Sequence, residues 1–384
     1  MKIVIAPDSF KESMTALEAA TAIERGFKKV LPNEDYLKVP MADGGEGTVQ
    51  SIIDATGGSF KTEIVKGPLG KEVKAQYGIA GDGKVAVIEM AAASGLDKVP
   101  PKDRNPLKTT TYGFGQLLHS ALDEGVEEII LGIGGSATND GGAGMIVSLG
   151  GKLLDKEGEN IIPTGEGLAK LQYIDTASMH PLIKDVQFRV ACDVDNPLTG
   201  PNGASYIYGP QKGGDMRTIK QLDANLVHFA EVVKKQMKID IDSPPGAGAA
   251  GGLGAGLLGF LEAKLQRGGD LLVEILGLEE KLKGASLLIT GEGSINHQTV
   301  FGKTPIAVSH VGKKLNIPTI ALAGSLNEGY EAIYREGIEA AFSIIPQLSS
   351  LQVTLSKGKD NLERLATDIA TLIKIAKELW NKQI

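Results

Sequence analysis

Cysteine is almost missing from this chain. A single thiol, Cys192, among 384 residues excludes an intramolecular disulfide framework and any cysteine-built zinc site. Positive charge is not in excess either. The 40 Lys and Arg stand against 47 Asp and Glu, a formal net charge of −7, so no basic field exists to hold a polyanion. Nucleic acid is therefore not an expected partner. Long apolar runs are lacking too: the most apolar stretch, Gly246 to Leu261, is rich in Gly and Ala and stops at Glu262. That is short of the roughly 20 residues a membrane span needs. No charged, then apolar, then small-residue leader opens the sequence. The expectation is a soluble cytoplasmic protein of about two to three domains, without membrane contact.

Glycine is what the chain has in abundance: 50 of 384 residues, about 13% against a usual value near 7%. The glycines cluster in loops beside acids, hydroxyls and lysines. Such clusters suit backbone amides closing on an anion, although glycine-rich turns alone would give the same count.

Residues 2–6 read as a buried strand and a helix follows from Thr15. Leu17, Ala20, Ile23, Phe27 and Val30 share one face of it, and Thr15 with Glu18 has capping-box spacing. A strand over 36–42 runs into Asp43-Gly44-Gly45-Glu46-Gly47, with another helix beyond. The β-α-β-α order predicts a parallel α/β sheet. Runs at 61–66, 72–79 and 85–90, separated by glycine turns, predict antiparallel strands. Helix 109–124, strands 127–133 and 187–192 and a helix over 215–237 fill the middle. Parallel rhythm returns with strand 285–290, helix 304–315, strand 318–323, helix 328–335, strand 339–344 and a long final helix. The predicted fold class is α/β: a doubly wound domain built from 1–60 and 285–384, interrupted by an inserted mixed α/β domain over 61–284.

Ligands of open parallel sheets bind beyond the carboxyl ends of the strands. Three such ends carry Pro7-Asp8-Ser9-Phe10-Lys11, then Asp43 to Thr48, then Gly291-Glu292-Gly293-Ser294. The middle region adds Gly132 to Gly142 after one strand, and Cys192-Asp193-Val194-Asp195-Asn196 after another. Phosphoryl transfer needs this mixture: amides and a lysine for phosphate oxygens, carboxylates for Mg²⁺, and a group to orient the attacking hydroxyl. Lys11 and Lys303 are both placed just before helix N-termini, where free N–H groups favour an anion. Lys303 is not a Walker A lysine, because His297 stands where that motif has Gly, and protein-kinase signatures are absent. Plainer roles compete. Asp8, Asp43 and Glu292 could cap helices, Asp193 and Asp195 could brace the turn at Asn196-Pro197, and Cys192 could be a small core residue. The histidines at 119, 180, 228, 297 and 310 show no metal-ligand spacing, and only His297 lies in a candidate loop.

Two segments imitate dinucleotide fingerprints. Gly246-Ala-Gly248-Ala-Ala-Gly251 and Gly254-Ala-Gly256-Leu-Leu-Gly259 follow no strand and fail the context test. Gly132-Ile-Gly134-Gly-Ser-Ala137 does follow a strand, with Asp155 further on, and keeps a nicotinamide-dependent hydroxy-acid dehydrogenase as the rival enzyme class.

Several long motifs, in order, resemble the bacterial type-I glycerate kinases. They are Pro7 to Lys11, Ala42 to Thr48, Gly134 to Gly142, and Thr290 to Gly293 followed by Gln298-Thr299 and Gly302-Lys303. The resemblance spans essentially the whole chain. It implies ATP-dependent phosphorylation of D-glycerate, usually to 2-phosphoglycerate, with Mg²⁺. It also implies a flavodoxin-like domain interrupted by a restriction-endonuclease-like one. Under it, Lys11 and Lys303 contact phosphates, Asp43 and Glu292 hold Mg²⁺, and Asp8 or Asp193 accepts the substrate proton. Ser9, Gly44, Gly45, Gly134, Gly135, Ser136, Thr138, Asn139, Asp140, Gly291, Gln298 and Thr299 bind substrate or nucleotide. One position departs from the family pattern: Asn296 stands where an Asp is expected. Asn cannot act as a base, so a non-catalytic sensor of a sugar acid and nucleotide stays open. So does oligomer formation.

Overall fold

The computed structural model describes residues 1–42 and 47–382, leaving out the Phe301 side chain. Asp43, Gly44 and Gly45, three of the expected site positions, lie outside the described residues. The described chain divides into two compact units. One gathers residues 1–42, 50–55 and 267–382, and the other residues 47–49 and 56–266. The later crossing falls at 266/267 rather than 284/285. Helices Gly268–Ile275 and Leu278–Leu282 pack on helix Thr304–Lys314 and so belong to the first unit.

The first unit is a five-stranded sheet in the order Ala340–Ser343, Thr319–Leu326, Leu287–Ile295, Lys2–Ile5, Asp35–Lys38, with every pair parallel. Side chains alternate between faces along each strand. Leu322 joins Ile3, Ile5, Ile23, Phe27 and Leu362 on one side, while Ala321 and Ala323 join Ile306, Ile333 and Ile338 on the other. Helices therefore cover both faces, the doubly wound arrangement. Helix Ala16–Lys28 starts where its capping box dictates, with Thr15 and Glu18 each accepting the other's backbone N–H; such a cap is worth about 1 kcal/mol. It buries Ala20, Ile23 and Phe27, but Leu17 is exposed and Val30 lies past the helix end. Gly26 explains the close docking of the C-terminal helix Gly358–Asn381: a methyl there would sit 2.4 Å from the Glu363 carbonyl oxygen. The segment expected as helix 328–335 is a 3₁₀ stretch, Tyr330–Glu336.

The second unit is a six-stranded mixed sheet in the order Lys264–Gln266, Gln187–Ala191, Glu128–Gly132, Val85–Glu89, Glu72–Ile79, Ser59–Lys66. Its first four strands run parallel, and the last two add antiparallel pairs, as the glycine turns predicted. Among the described residues no helix is long and apolar enough to cross a membrane.

Candidate active site

In the first unit, strand Leu287–Ile295 continues beyond its expected end at Thr290, and Gly291 to Ser294 pair in register with Leu322 to Ser325. Gly291 permits this: a Cβ there would lie 2.0 Å from the Leu322 carbonyl oxygen. The Asp8 backbone N–H donates to the Gly291 carbonyl at 2.8 Å, which lays Asp8 to Lys11 beside Gly291 to Gly293. Asp8 is buried, and its Oδ1 accepts the Ser9 N–H at 2.6 Å. Lys11 is exposed, in a turn closed by the Phe10–Met14 bridge. It does not stand at a helix N-terminus. The helix begins at Ala16, behind a capping box that already satisfies its own amides.

Glu292 is the centre of this cluster. Its Oε1 accepts the Thr299 hydroxyl at 2.9 Å and its Oε2 faces Lys303 Nζ at 3.2 Å, with the carboxylate buried and the lysine partly exposed. Lys303 is the N-cap residue of helix Thr304–Lys314, so its backbone stands where the first helical amides begin while its side chain reaches Glu292. The Thr304 hydroxyl donates to the Ala42 carbonyl at 2.6 Å, tying the residue that precedes Asp43 to the same helix start. Gln298 is exposed. Asn296 Oδ1 accepts the Gln298 N–H at 2.8 Å, and the Thr299 N–H returns to the Asn296 carbonyl. This is an Asx turn, which an Asp would form equally well. Asn296→Asp should therefore change folding stability by no more than about 0.5 kcal/mol, within the range of surface substitutions; a thermal unfolding curve checks it.

In the second unit, Gly134 and Gly135 are exposed and the chain then dives inward, so that Ser136 to Asp140 are buried. Asp140 is fully buried and accepts four donors: the Thr111 N–H and hydroxyl, and the N–H groups of Gly142 and Gly144. Burial raises its pKa against those hydrogen bonds, which lower it. A carboxylate so engaged braces its loop, with Oδ2 taking three of the four donors and Oδ1 the other. Asn139 Nδ2 donates to Ser205 at 3.0 Å. Asn139 Oδ1 and Thr138 Oγ1 are buried with no hydrogen-bond partner. Asp193, after strand Gln187–Ala191, is exposed, and so is Asp195. Cys192 beside them donates to the Val194 carbonyl, and burial pushes its thiol up to about 11, so it is no thiolate at neutral pH.

Both nucleotide-fingerprint readings fail. No helix opens at Gly134 to Ala137, and Asp155 spends its carboxylate on the N–H groups of Glu157 and Glu159. The second Gly/Ala run is helix Ala249–Leu261, with left-handed backbone at Ala250, Gly251 and Gly252. Gly251 and Gly256 face protein backbone: a Cβ on Gly251 would lie 1.9 Å from the Thr138 carbonyl oxygen, and one on Gly256 2.7 Å from that of Gly141. They pack against the 138–142 loop.

Three polar residues escaped the sequence reading. Lys212, in Gly209-Pro-Gln-Lys-Gly-Gly214, is 2% exposed and donates to Ser136 Oγ and to the Thr138 carbonyl, each at 2.7 Å. Its only sequence signal is a lysine enclosed by Pro and Gly. Arg267 packs on Gly302, where a side chain would fall 2.5 Å from the guanidinium, next to Lys303. Glu89, ending strand Val85–Glu89, accepts the N–H groups of Gly47 and Val49 at the start of helix Thr48–Thr56, where an anion would otherwise sit. The fold also gathers His119, Asp123 and His180, whose ligand atoms lie within 4.8 Å of one another. His119 and Asp123 are four apart on one helix, but His180 comes from far along the chain. His180 Nδ1 accepts the Leu182 N–H, so Nε2 carries the proton and donates to Asp123 at 3.2 Å. The trio is a hydrogen-bonded surface cluster rather than an open ligand set.

A family profile described as the glycerate kinase family matches residues 3–374. The chain belongs to this family. It is 56% identical over 380 residues to a glycerate kinase of Halalkalibacterium halodurans, covering 99% of each. It is 50% identical over 375 residues to the glycerate 2-kinase of Escherichia coli K12, covering 98% of each. A solved structure from Salmonella typhimurium LT2, described as a glycerate kinase 2, superposes with a TM-score of 0.91 at 47% identity. That superposition covers 98% of this chain and 99% of the other. Membership of the glycerate kinase family accounts for the phosphoryl-transfer chemistry read from the strand ends.

Proposed function

We propose that this chain transfers the γ-phosphoryl group of ATP to the C2 hydroxyl of D-glycerate, giving 2-phosphoglycerate and ADP. The observation that carries the reading is the full-length likeness to glycerate kinases, one of them named a glycerate 2-kinase. The new bond joins the C2 oxygen to phosphorus, the bond to the β-phosphate oxygen breaks, and the hydroxyl proton leaves to a carboxylate. Asp8 is the preferred acceptor because it is buried and its orientation is set by Ser9, whereas Asp193 is exposed.

Lys303 moves from Glu292 to the phosphate oxygens, and Lys11 adds a second cation. Backbone amides at Gly44, Gly45 and Gly291, the Ser9 hydroxyl and the Gln298-Thr299 turn complete the nucleotide side. Gly134, Gly135, Ser136, Thr138 and Asn139 hold the hydroxy acid. Asp43 and Glu292 would hold Mg²⁺; carboxylate oxygens are the donors that ion takes, and Glu292 presents them beside the strand end that carries Asp8. Bound there, the ion would neutralise charge on the phosphates.

The test is ADP release with Mg-ATP and D-glycerate, the product read by ³¹P NMR. A 2-phospho product is expected. A 3-phospho product overturns the position of attack, and no ADP overturns the reading.

A further inference from the structure

We propose that Lys212 is a positioning residue for the carboxylate of the hydroxy acid, acting through Ser136: by donating to Ser136 Oγ it turns that hydroxyl into a donor for the substrate's anionic end. This rests on the reading above, that the Gly134–Asn139 loop holds a hydroxy acid.

Donor counting sets the direction of the Ser136 hydroxyl. An ammonium has three N–H donors and no acceptor. Lys212 Nζ lies 2.7 Å from Ser136 Oγ, so the serine oxygen must accept there and its own proton must point elsewhere. Ser136 is 7% exposed and directly follows the exposed Gly134 and Gly135, so it stands where the loop passes from surface to interior. The loop is held from both sides. The Leu96 N–H donates to the Gly135 carbonyl, the Ala137 N–H donates to the Ser94 carbonyl, and Lys212 takes the Thr138 carbonyl with a second proton. The two unpartnered buried atoms, Thr138 Oγ1 and Asn139 Oδ1, belong to the same few residues. A hydroxyl donor and an amide acceptor beside a polarised serine match a carboxylate flanked by a hydroxyl, the chemistry of a 2-hydroxy acid.

Lysine suits this task because its charge can be withdrawn. Burial pulls Lys212 down to about 7, with the buried carboxylate of Asp140 pulling the other way. From the neighbouring segment, Arg104 packs its backbone on Gly213 and donates Nη1 to the Gln211 carbonyl. Once Lys212 loses its proton, its amine accepts from Ser136, the hydroxyl turns inward, and the donor is lost. Bound carboxylate favours the protonated lysine, so saturation restores it.

The experiment is the pH profile of the full-length enzyme from pH 6 to 9. The pH dependence of kcat/KM reports the free enzyme and that of kcat the loaded one. Expected is a fall in kcat/KM for D-glycerate of about tenfold per pH unit above the break, since one proton controls it. kcat, and kcat/KM for ATP at saturating glycerate, stay nearly flat. Ser136→Ala and Lys212→Met should each raise KM for glycerate far more than they lower kcat, and each should abolish the break. If Lys212→Met does not fold, the Ser136→Ala result and the wild-type profile still decide. A wild-type profile for glycerate that stays flat, or an unchanged KM in Ser136→Ala, overturns the proposal while ADP is still made. No ADP from the wild type at any pH sinks both this inference and the function beneath it.

Discussion

Replacing Lys303 with Met is expected to lower kcat about 10²–10³-fold while the protein stays folded. This is the usual loss when one charge-stabilising donor is removed from a reaction centre. The lysine is placed for it: its ammonium faces Glu292 at 3.2 Å, and its backbone caps helix Thr304–Lys314. Met keeps the length and packing of the stem but has no charge for the phosphate oxygens. Stability should change little. The Lys303 side chain is 36% exposed, so losing the pair costs about 1 kcal/mol or less, and Glu292 keeps the Thr299 hydroxyl. Steady-state kinetics beside a thermal unfolding curve separate the two effects. Near-normal turnover in a folded variant would remove Lys303 from the reaction.

Gly251→Ala is expected to be worse for the protein than its single methyl suggests. Gly251 sits at φ +71°, and the new Cβ would fall 1.9 Å from the Thr138 carbonyl oxygen, the same atom that accepts from Lys212. Left-handed backbone alone costs an L-residue about 1–2 kcal/mol, and overpacking adds roughly 1–3 kcal/mol more. A combined loss of about 3 kcal/mol is expected, visible as a drop of several degrees in Tm. The displaced loop carries Ser136, Thr138 and Asn139, so KM for glycerate should rise about tenfold or more, given how steeply rates depend on ångström-scale placement. A variant with unchanged Tm and KM would mean that the Gly/Ala helix can back away from the loop.

These two positions differ in how they could be found. Lys303 announces itself, because it follows a glycine turn at the start of a helix near a strand-end acid, and each of those signals is local. Gly251 gives only a misleading signal, since its motif imitates a dinucleotide fingerprint although its glycines face Leu265, Pro197 and Thr138. Lys212 gives almost none. Lysine is usually solvated, and nothing within a few residues of it tells of Ser136, which lies far off in the chain. Asp140 is a different case. Its place in a Gly-rich motif suggests a ligand contact, and only the fold shows the four donors, from its own loop and from Thr111, that hold its carboxylate.

The α/β class, the parallel rhythm at both ends, the capping box at Thr15 and the acids at strand ends are all legible in the order of residues. That order also holds the full-length motif pattern that places the chain among the glycerate kinases. Such features depend on periodicity and on neighbours within a turn or two, which a linear reading can see. Tertiary structure alone decided which polar groups are spent inside the protein and which remain for chemistry. It extended strand Leu287–Ile295 past Thr290, pointed the Gly/Ala helix at the 138–142 loop, gathered His119, Asp123 and His180, and buried Lys212 against Ser136. Each of those outcomes is a contact across long sequence separation. Its energy comes from burial and hydrogen-bond satisfaction, which no local propensity encodes.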